Sequence, residues 1–282
     1  MKEQLNKKEV GYMEKFTEIY KTAISWTKEA GKNIKESLGE QLHVEYKTSE
    51  ADLVTEKDRE IEEFFIHKIK ERYPSHHIIG EEGMGEDTFF NPMEEIVWLI
   101  DPIDGTTSFV HQRENFAISV AVYENGHPRV GVIYDPIREE CYHALHEHGA
   151  FKNEERLKKV GETTVKHSLL GIDSGWLVPN DQYDYRKFHS LIRDLRGTRV
   201  IGSAALEMAA VASGKLNGFI SLRLSPWDFA AGLVLLGELG VTATTIENKP
   251  INLFEKTSIC AGNPTFHKQL MQKYLGEETE SK

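Results

Sequence analysis

The chain has 282 residues, 39% hydrophobic and 10% aromatic, enough for one large domain or two lobes with an ample core, and unlike a disordered protein. Its formal charge of −11 argues against nucleic-acid binding as its main function, and means that a phosphate ester could bind only with cations to offset the repulsion. Cys141 and Cys260 form no metal or redox motif, the charged start Met1 to Val10 lacks the apolar centre of a signal peptide, and no run of about 18 apolar residues could span a membrane. A cytoplasmic protein with buried free thiols and no membrane contact is therefore expected.

In chain order, Met13, Phe16, Tyr20, Ala23, Ile24, Ala30, Ile34 and Leu38 recur at helical spacing and predict a long first helix with one apolar stripe. A polar loop around Lys47 leads to Asp52-Leu53-Val54, and Thr55 to Asp58 opens a second helix that Pro74 stops. Ile78-Ile79 reads as a short strand delivering Glu81 and Glu82, followed by an exposed loop from Gly83 to Asn91. Ile96 to Ile100 is an apolar run that ends in Asp101-Pro102-Ile103-Asp104-Gly105-Thr106-Thr107, the pattern of a buried strand stopped by a turn. Antiparallel strands are predicted at Ala117 to Tyr123, Arg129 to Tyr134 and Cys141 to Leu145, with a turn at Glu124-Asn125-Gly126.

The charged segment Lys158 to Lys166 suggests a boundary near residue 160, between an N-terminal lobe of residues 1–160 and a C-terminal α/β lobe of residues 161–282. In the second lobe, strands at Leu169 to Ile172, Val200-Ile201, Gly218 to Ser221, Val241 to Ile246 and Ser258 to Ala261 alternate with helices. These helices fall around Tyr183 to Leu195, Ala204 to Ala212, Trp227 to Leu239 and Thr265 to Tyr274.

Asp101 and Asp104 are two hard oxygen donors at the C-terminal end of a strand, where ligands of open α/β sheets sit, and Gly105 would let backbone N–H groups approach an anion. That combination suggests Mg²⁺ holding a phosphate. A nucleophilic aspartate would need the spacing D-x-D-G-T, and two residues rather than one separate these carboxylates, which disfavours a covalent mechanism.

Other candidates have structural accounts of their own. Thr55 and Asp58 match a capping box, Ser225-Pro226-Trp227-Asp228 is a good helix start, and Glu81 alone could be a solvated loop charge. His143 faces away from His146 and His148 on a strand, so a polar hairpin surface is expected there rather than a transition-metal site. No G-x-G-x-x-G or Walker-type Gly-Lys-Ser/Thr sequence supports a dinucleotide enzyme or a kinase.

The stretch Trp98-Leu99-Ile100-Asp101-Pro102-Ile103-Asp104-Gly105-Thr106-Thr107-Ser108-Phe109-Val110-His111 resembles the central signature of the inositol monophosphatase family. Asp52-Leu53-Val54-Thr55-x-x-Asp58, Ile79-Gly80-Glu81-Glu82 and Trp227-Asp228-x-Ala230-Ala231-Gly232 are similar to its other motifs, in the same order, from about residue 13 to 275. The resemblance implies an α/β (α+β) fold, the layered αβαβα sandwich of the inositol monophosphatase and fructose-1,6-bisphosphatase type. It also implies a Mg²⁺-dependent, lithium-sensitive phosphatase that works as a homodimer on a small phosphorylated metabolite.

By the same resemblance, Glu81, Asp101 and the Ile103 carbonyl hold one Mg²⁺, Asp101, Asp104 and Asp228 a second, and Glu81 with waters a weaker third. Asp58 and Thr106 orient the attacking water, Gly105 and Thr106 N–H groups bind phosphate, and Lys47 lies in the loop that approaches the metals. Gly202-Ser203-Ala204 resembles the polyol-contacting segment. Ser221 stands where many inositol-specific members carry a glutamate, a departure that puts strict inositol specificity in question. The expected reaction is hydrolysis of myo-inositol 1-phosphate. The alternatives are fructose 1,6-bisphosphate, NADP or 3′-phosphoadenosine 5′-phosphate on the same machinery, and a non-catalytic binding protein, which would have lost metal ligands that this chain retains.

Overall fold

A computed structural model describes residues 2–39, 44–46, 53–84, 91, 93, 95–179 and 183–276. Lys47, Asp52 and most of the loop expected between Gly83 and Asn91 lie outside these residues.

The chain opens with the long helix α1 (Lys2–Glu36), the strand pair β1 (Val44–Tyr46) and β2 (Leu53–Thr55), and α2 (Glu56–Arg72). Next come β3 (His77–Gly80), β4 (Ile96–Asp104), the short helix α3 (Thr106–Gln112), β5 (Ala117–Glu124), β6 (His127–Asp135), β7 (Glu140–Leu145), β8 (Gly149–Lys152) and β9 (Glu155–Arg156). Strands β3 to β9 form one seven-stranded sheet in sequence order, antiparallel except for the parallel β3–β4 pair.

The remaining elements are β10 (Leu169–Ile172), α4 (Lys187–Asp194), β11 (Gly197–Arg199), α5 (Ala204–Ala212), β12 (Gly218–Leu224), α6 (Pro226–Glu238), β13 (Thr242–Thr244), β14 (Thr257–Gly262) and α7 (Pro264–Gln269), which runs on as a π turn to Leu275. Strands β10 to β14 form a five-stranded mixed sheet in the order β11-β10-β12-β14-β13.

Three apolar layers hold the sheets and helices together. Helices α1 and α2 bury their stripes on the outer face of the seven-stranded sheet, through Phe16, Ile34 and Phe65 against Trp98, Ile100 and Val132. Its inner face packs on α5 and α6, which also meet the five-stranded sheet. Helix α4 and the C-terminal helix cover the far side of that second sheet. The order is therefore α, β, α, β, α, the expected layered sandwich. Strand β4 reads as a continuous apolar run because both faces are buried, Val97 and Leu99 inward and Trp98 and Ile100 outward.

Local differences from expectation have local causes. The edge strand is β11 at Gly197–Arg199 rather than Val200-Ile201, because the Ile201 N–H donates to the Glu207 carboxylate instead of to a neighbouring strand. Helix α4 starts at Lys187 rather than near Tyr183, since the Asp184 side chain and carbonyl accept the Arg186 and Lys187 N–H groups in a preceding turn. His143 is not a surface residue: it is buried between Tyr20 Oη at 2.5 Å and the Asn153 carbonyl at 2.8 Å. Cys141 and Cys260 are buried and free.

Small residues on the inner face let α6 approach. A Cβ at Gly131 of β6 would lie 2.6 Å from the Ala231 carbonyl oxygen and 2.8 Å from Val234 Cβ. Gly131→Ala should therefore overpack this seam and cost about 1–3 kcal/mol. The expected measurement is a lower urea midpoint at unchanged m-value; an unchanged midpoint would show that the seam can relax.

Candidate active site

The site begins with a fault in a strand. In a regular strand, residues three apart face opposite sides of the sheet. Asp101 pairs with Ser119 and Asp104 with Ala117, so three steps along β4 match two along β5. The extra residue is a β-bulge, which resets the alternation and brings both aspartates to one side. Pro102 is tolerated at such a point because a bulge residue needs no ladder bond. Asp101 Oδ1 accepts the Ile103 N–H at 3.0 Å and holds the bulge closed.

Four helix starts meet this strand end. Gly105 caps α3 with φ 94°, and a Cβ there would come within 2.8 Å of the Gly202 carbonyl oxygen, so only glycine fits both the dihedral and the approach. Asp104 Oδ2 accepts from Ser203 Oγ and the Ala205 N–H, each at 2.6 Å, at the start of α5. Ser203 is also the N-cap of that helix, accepting from the Leu206 N–H. Asp228 Oδ2 accepts the Ser225 N–H at 2.7 Å at the start of α6, where Pro226 supplies the first turn.

Asp58 Oδ2 accepts the Thr55 N–H at 2.8 Å and the Thr55 hydroxyl at 2.6 Å in the capping box of α2, while its Oδ1 lies 3.3 Å from Thr106 Oγ1. Thr106 Oγ1 also lies 3.0 Å from the Ile103 carbonyl oxygen. The capping and site roles of Asp58 thus use different oxygens and do not compete.

Asp101, Asp104 and Asp228 converge, with one carboxylate oxygen of each inside 4.8 Å of the others. Asp101 is buried, and burial followed by repulsion from Glu81, Asp104 and Asp228 pushes its carboxyl well above the ordinary range. Burial likewise raises Asp104 to about 6, against the lowering effect of the Ser203 and Ala205 bonds. Asp228 is half-buried and is raised by burial and then by Asp104. Burial lifts Asp58 to about 7 despite its bonds to Thr55. The donors are carboxylate oxygens without thiol or imidazole, a set that suits a hard divalent cation such as Mg²⁺. Their mutual repulsion marks a place where positive charge fits.

Ser221 is buried on β12, where the ladder with β14 shifts between Ser221 and Leu224, and Arg223 beside it is exposed. Two further buried acids escaped the sequence reading. Glu62 is fully buried on α2, and Glu207 on α5 accepts the Ile201 N–H at 2.7 Å, with burial raising its carboxyl to about 7. For Glu207 the available signal was a lone acid within the apolar stretch Ala204 to Ala212, since a buried charge needs partners, whereas Glu62 stands beside Glu63 and near Glu60 and is not singled out by its neighbours.

Comparison with known proteins agrees with this geometry. Residues 15–280 match the inositol monophosphatase family. The chain belongs to that family. It is 46% identical over 263 residues to the inositol-1-monophosphatase of Bacillus subtilis, covering 93% of this chain and 98% of that protein. It is 35% identical over 238 residues to the fructose-1,6-bisphosphatase/inositol-1-monophosphatase of Thermotoga maritima, covering 84% and 88%. The crystal structure of inositol monophosphatase-II from Staphylococcus aureus superposes with a TM-score of 0.82 at 38% identity, covering 91% of this chain and 93% of that one.

The carboxylate shifts give a pH test with a definite sign. Folded-state values raised from 3.8 to about 6 and about 7 for Asp104 and Asp58 mean that the cation-free protein loses stability as pH rises through that window. A cation binds the ionised form and offsets the loss. The Mg²⁺-induced rise in Tm over an EDTA control should therefore grow between about pH 5.5 and about pH 7.5, the underlying stabilisation approaching about 2.7 kcal/mol at a hundredfold excess over Kd. Calorimetry showing a pH-independent shift would contradict the cation reading of the cluster.

Proposed function

We propose that this chain hydrolyses small phosphate monoesters, with myo-inositol 1-phosphate as the principal substrate, by direct attack of water and without a phosphoenzyme. The observation that carries the reading is the convergence of Asp101, Asp104 and Asp228 beside the Asp58–Thr106 pair. The names of the Bacillus and Thermotoga relatives support the substrate class, the latter also keeping fructose 1,6-bisphosphate open as an alternative.

Glu81, Asp101, Asp104, Asp228 and the Ile103 carbonyl would hold Mg²⁺. When bound, Mg²⁺ supplies the positive charge that polarises a phosphoryl group and eases ionisation of water and leaving group. Two ions are the number that four ionised carboxylates would neutralise. Asp104 would present the oxygen not engaged by α5, and Asp228 the one not engaged by Ser225. The Thr106 hydroxyl has one proton, which it can give to Asp58 Oδ1 or to the Ile103 carbonyl. Its lone pairs would then accept a hydrogen bond from an incoming water, and Asp58 would receive the water's proton. The first-turn N–H groups at Gly105 and Thr106 would meet the phosphate oxygens.

Gly202, Ser203, Ala204 and Ser221 would line the alcohol side. Lys47 belongs to the same proposal, by family resemblance. Homodimerisation belongs to the proposal by family resemblance. Cytoplasmic placement is supported by the two buried free thiols. No helix among the described residues is long and apolar enough to cross a membrane.

Asp228→Asn distinguishes a metal ligand from a helix cap. A capping role alone predicts a cost of about 0.5–2 kcal/mol and near-normal turnover. The expected outcome is turnover lowered about a hundredfold or more, with a weakened Mg²⁺ response and little change in Tm in EDTA. An unchanged Mg²⁺ activation curve would remove Asp228 from the ligand set.

Substrate range follows from Ser221, whose single hydroxyl cannot reproduce a carboxylate's two-oxygen grip on a polyol. A phosphate-release panel with Mg²⁺, with and without lithium, should show inositol 1-phosphate hydrolysed alongside other compact phosphates. Ser221→Glu should shift selectivity toward inositol 1-phosphate by about tenfold, or about 1.4 kcal/mol. Inositol 1-phosphate left untouched while fructose 1,6-bisphosphate or a nucleotide turns over would replace the named substrate.

A further inference from the structure

Glu62 lies one helical turn beyond Asp58 on α2 and is 0% exposed. Its Oε2 accepts the Glu82 N–H and its Oε1 the Met84 N–H, both at 2.8 Å. Both carboxylate oxygens are thus committed to the backbone that follows Glu81. The strand end passes so close over this group that a Cβ at Gly80 would lie 2.5 Å from the Glu62 carboxyl carbon. On the other side, the Glu81 N–H donates to the Ile100 carbonyl at 3.2 Å, on the strand that carries Asp101.

Glu81 is therefore bracketed. One bond ties it to β4, which presents Asp101 and Asp104, and the first and third residues after it, Glu82 and Met84, are tied to α2, which presents Asp58. A buried carboxylate is a costly way to close a turn, because desolvation opposes it. Its two-oxygen grip on two N–H groups of one turn, those of Glu82 and Met84, is what a smaller or neutral side chain would not supply.

We propose that Glu62 is a positioning residue for the reaction: it fixes the loop bearing Glu81 to the helix bearing Asp58, and so sets the spacing between a cation-holding carboxylate and the water-orienting one. The proposal rests on the roles given to Glu81 and Asp58 above. A purely structural Glu62 would serve folding and leave cation affinity and turnover alone.

The test uses the full-length chain as wild type, Glu62→Gln, Gly80→Ala, Glu81→Gln and the exposed control Glu71→Gln. Three quantities are read: Mn²⁺ binding to the substrate-free protein by electron paramagnetic resonance, hydrogen exchange at the Glu82 and Met84 amides, and kcat and KM separately. Glu62→Gln keeps one acceptor oxygen and turns an N–H₂ toward a backbone N–H. It should lose exchange protection at one or both amides and weaken Mn²⁺ binding about tenfold or more. It should also lower kcat about tenfold or more with little change in KM, and excess cation should not restore it. Gly80→Ala crowds the same carboxylate from the strand side and carries the same expectations should Glu62→Gln fail to fold. Glu71→Gln should match wild type. If Glu81→Gln binds Mn²⁺ as wild type does, the role assigned to Glu81 fails. If Glu81→Gln weakens binding while Glu62→Gln loses amide protection yet keeps wild-type Mn²⁺ affinity and kcat, Glu62 is structural only and the proposal is overturned.

Discussion

Repulsion between buried carboxylates is the constraint around which this molecule is arranged. Asp101, Asp104 and Asp228 stand within 4.8 Å of one another, and without compensation such a cluster would resist folding. Part of the compensation is built from helix starts. Asp58 binds the first turn of α2, Asp104 the first turn of α5 and Asp228 the first turn of α6. Each contact brings a carboxylate against N–H groups that have no partner within the helix, at the positive end of its dipole. The remaining negative charge is what a cation would neutralise.

The same contacts join the layers. Asp104 belongs to the seven-stranded sheet and is bound by a helix that packs between the sheets, so forming the site and assembling the sandwich are one event. Gly105 and Gly202 meet at this seam, where a side chain on Gly105 would strike the Gly202 carbonyl and one on Gly202 the Ser108 hydroxyl. Small residues along β5, β6 and β7 bring α6, and with it Asp228, close to the bulge.

Much of this was legible in the sequence. Long stripes such as that of α1, the capping box at Thr55 and the Ser-Pro start of α6 state their structures locally, and Asp101, Asp104 and Asp228, which the fold brings together, each stand in a short motif. The bulge between Asp101 and Asp104 could not, because it is defined by pairing with β5 and not by β4 alone. The strand expected at Val200-Ile201 failed for a related reason. Its apolar residues favoured a strand, but the Ile201 N–H is taken by Glu207, six residues away and on the next helix. His143 looked like part of a polar hairpin because nothing nearby announces that Tyr20, 123 residues earlier, reaches its ring.

The opposition drawn at first between capping and chemistry at Asp58 dissolves once the two oxygens are counted. An aspartate at a helix N-terminus needs only one oxygen for the backbone. Asp58 spends Oδ2 on Thr55 and keeps Oδ1 beside Thr106; Asp104 likewise commits Oδ2 to Ser203 and Ala205, and Asp228 commits Oδ2 to Ser225. The cap then does more than stabilise a helix. It fixes the carboxylate's rotation, so the other oxygen is held in place before any ligand arrives, and that pre-organisation is what an electrostatic site requires. A carboxylate on a free loop would have to be oriented at the moment of binding, at an entropic cost. Glu62 extends the logic to Glu81, which has no helix start of its own: the neighbouring helix lends a carboxylate whose two oxygens bind the backbone that follows Glu81.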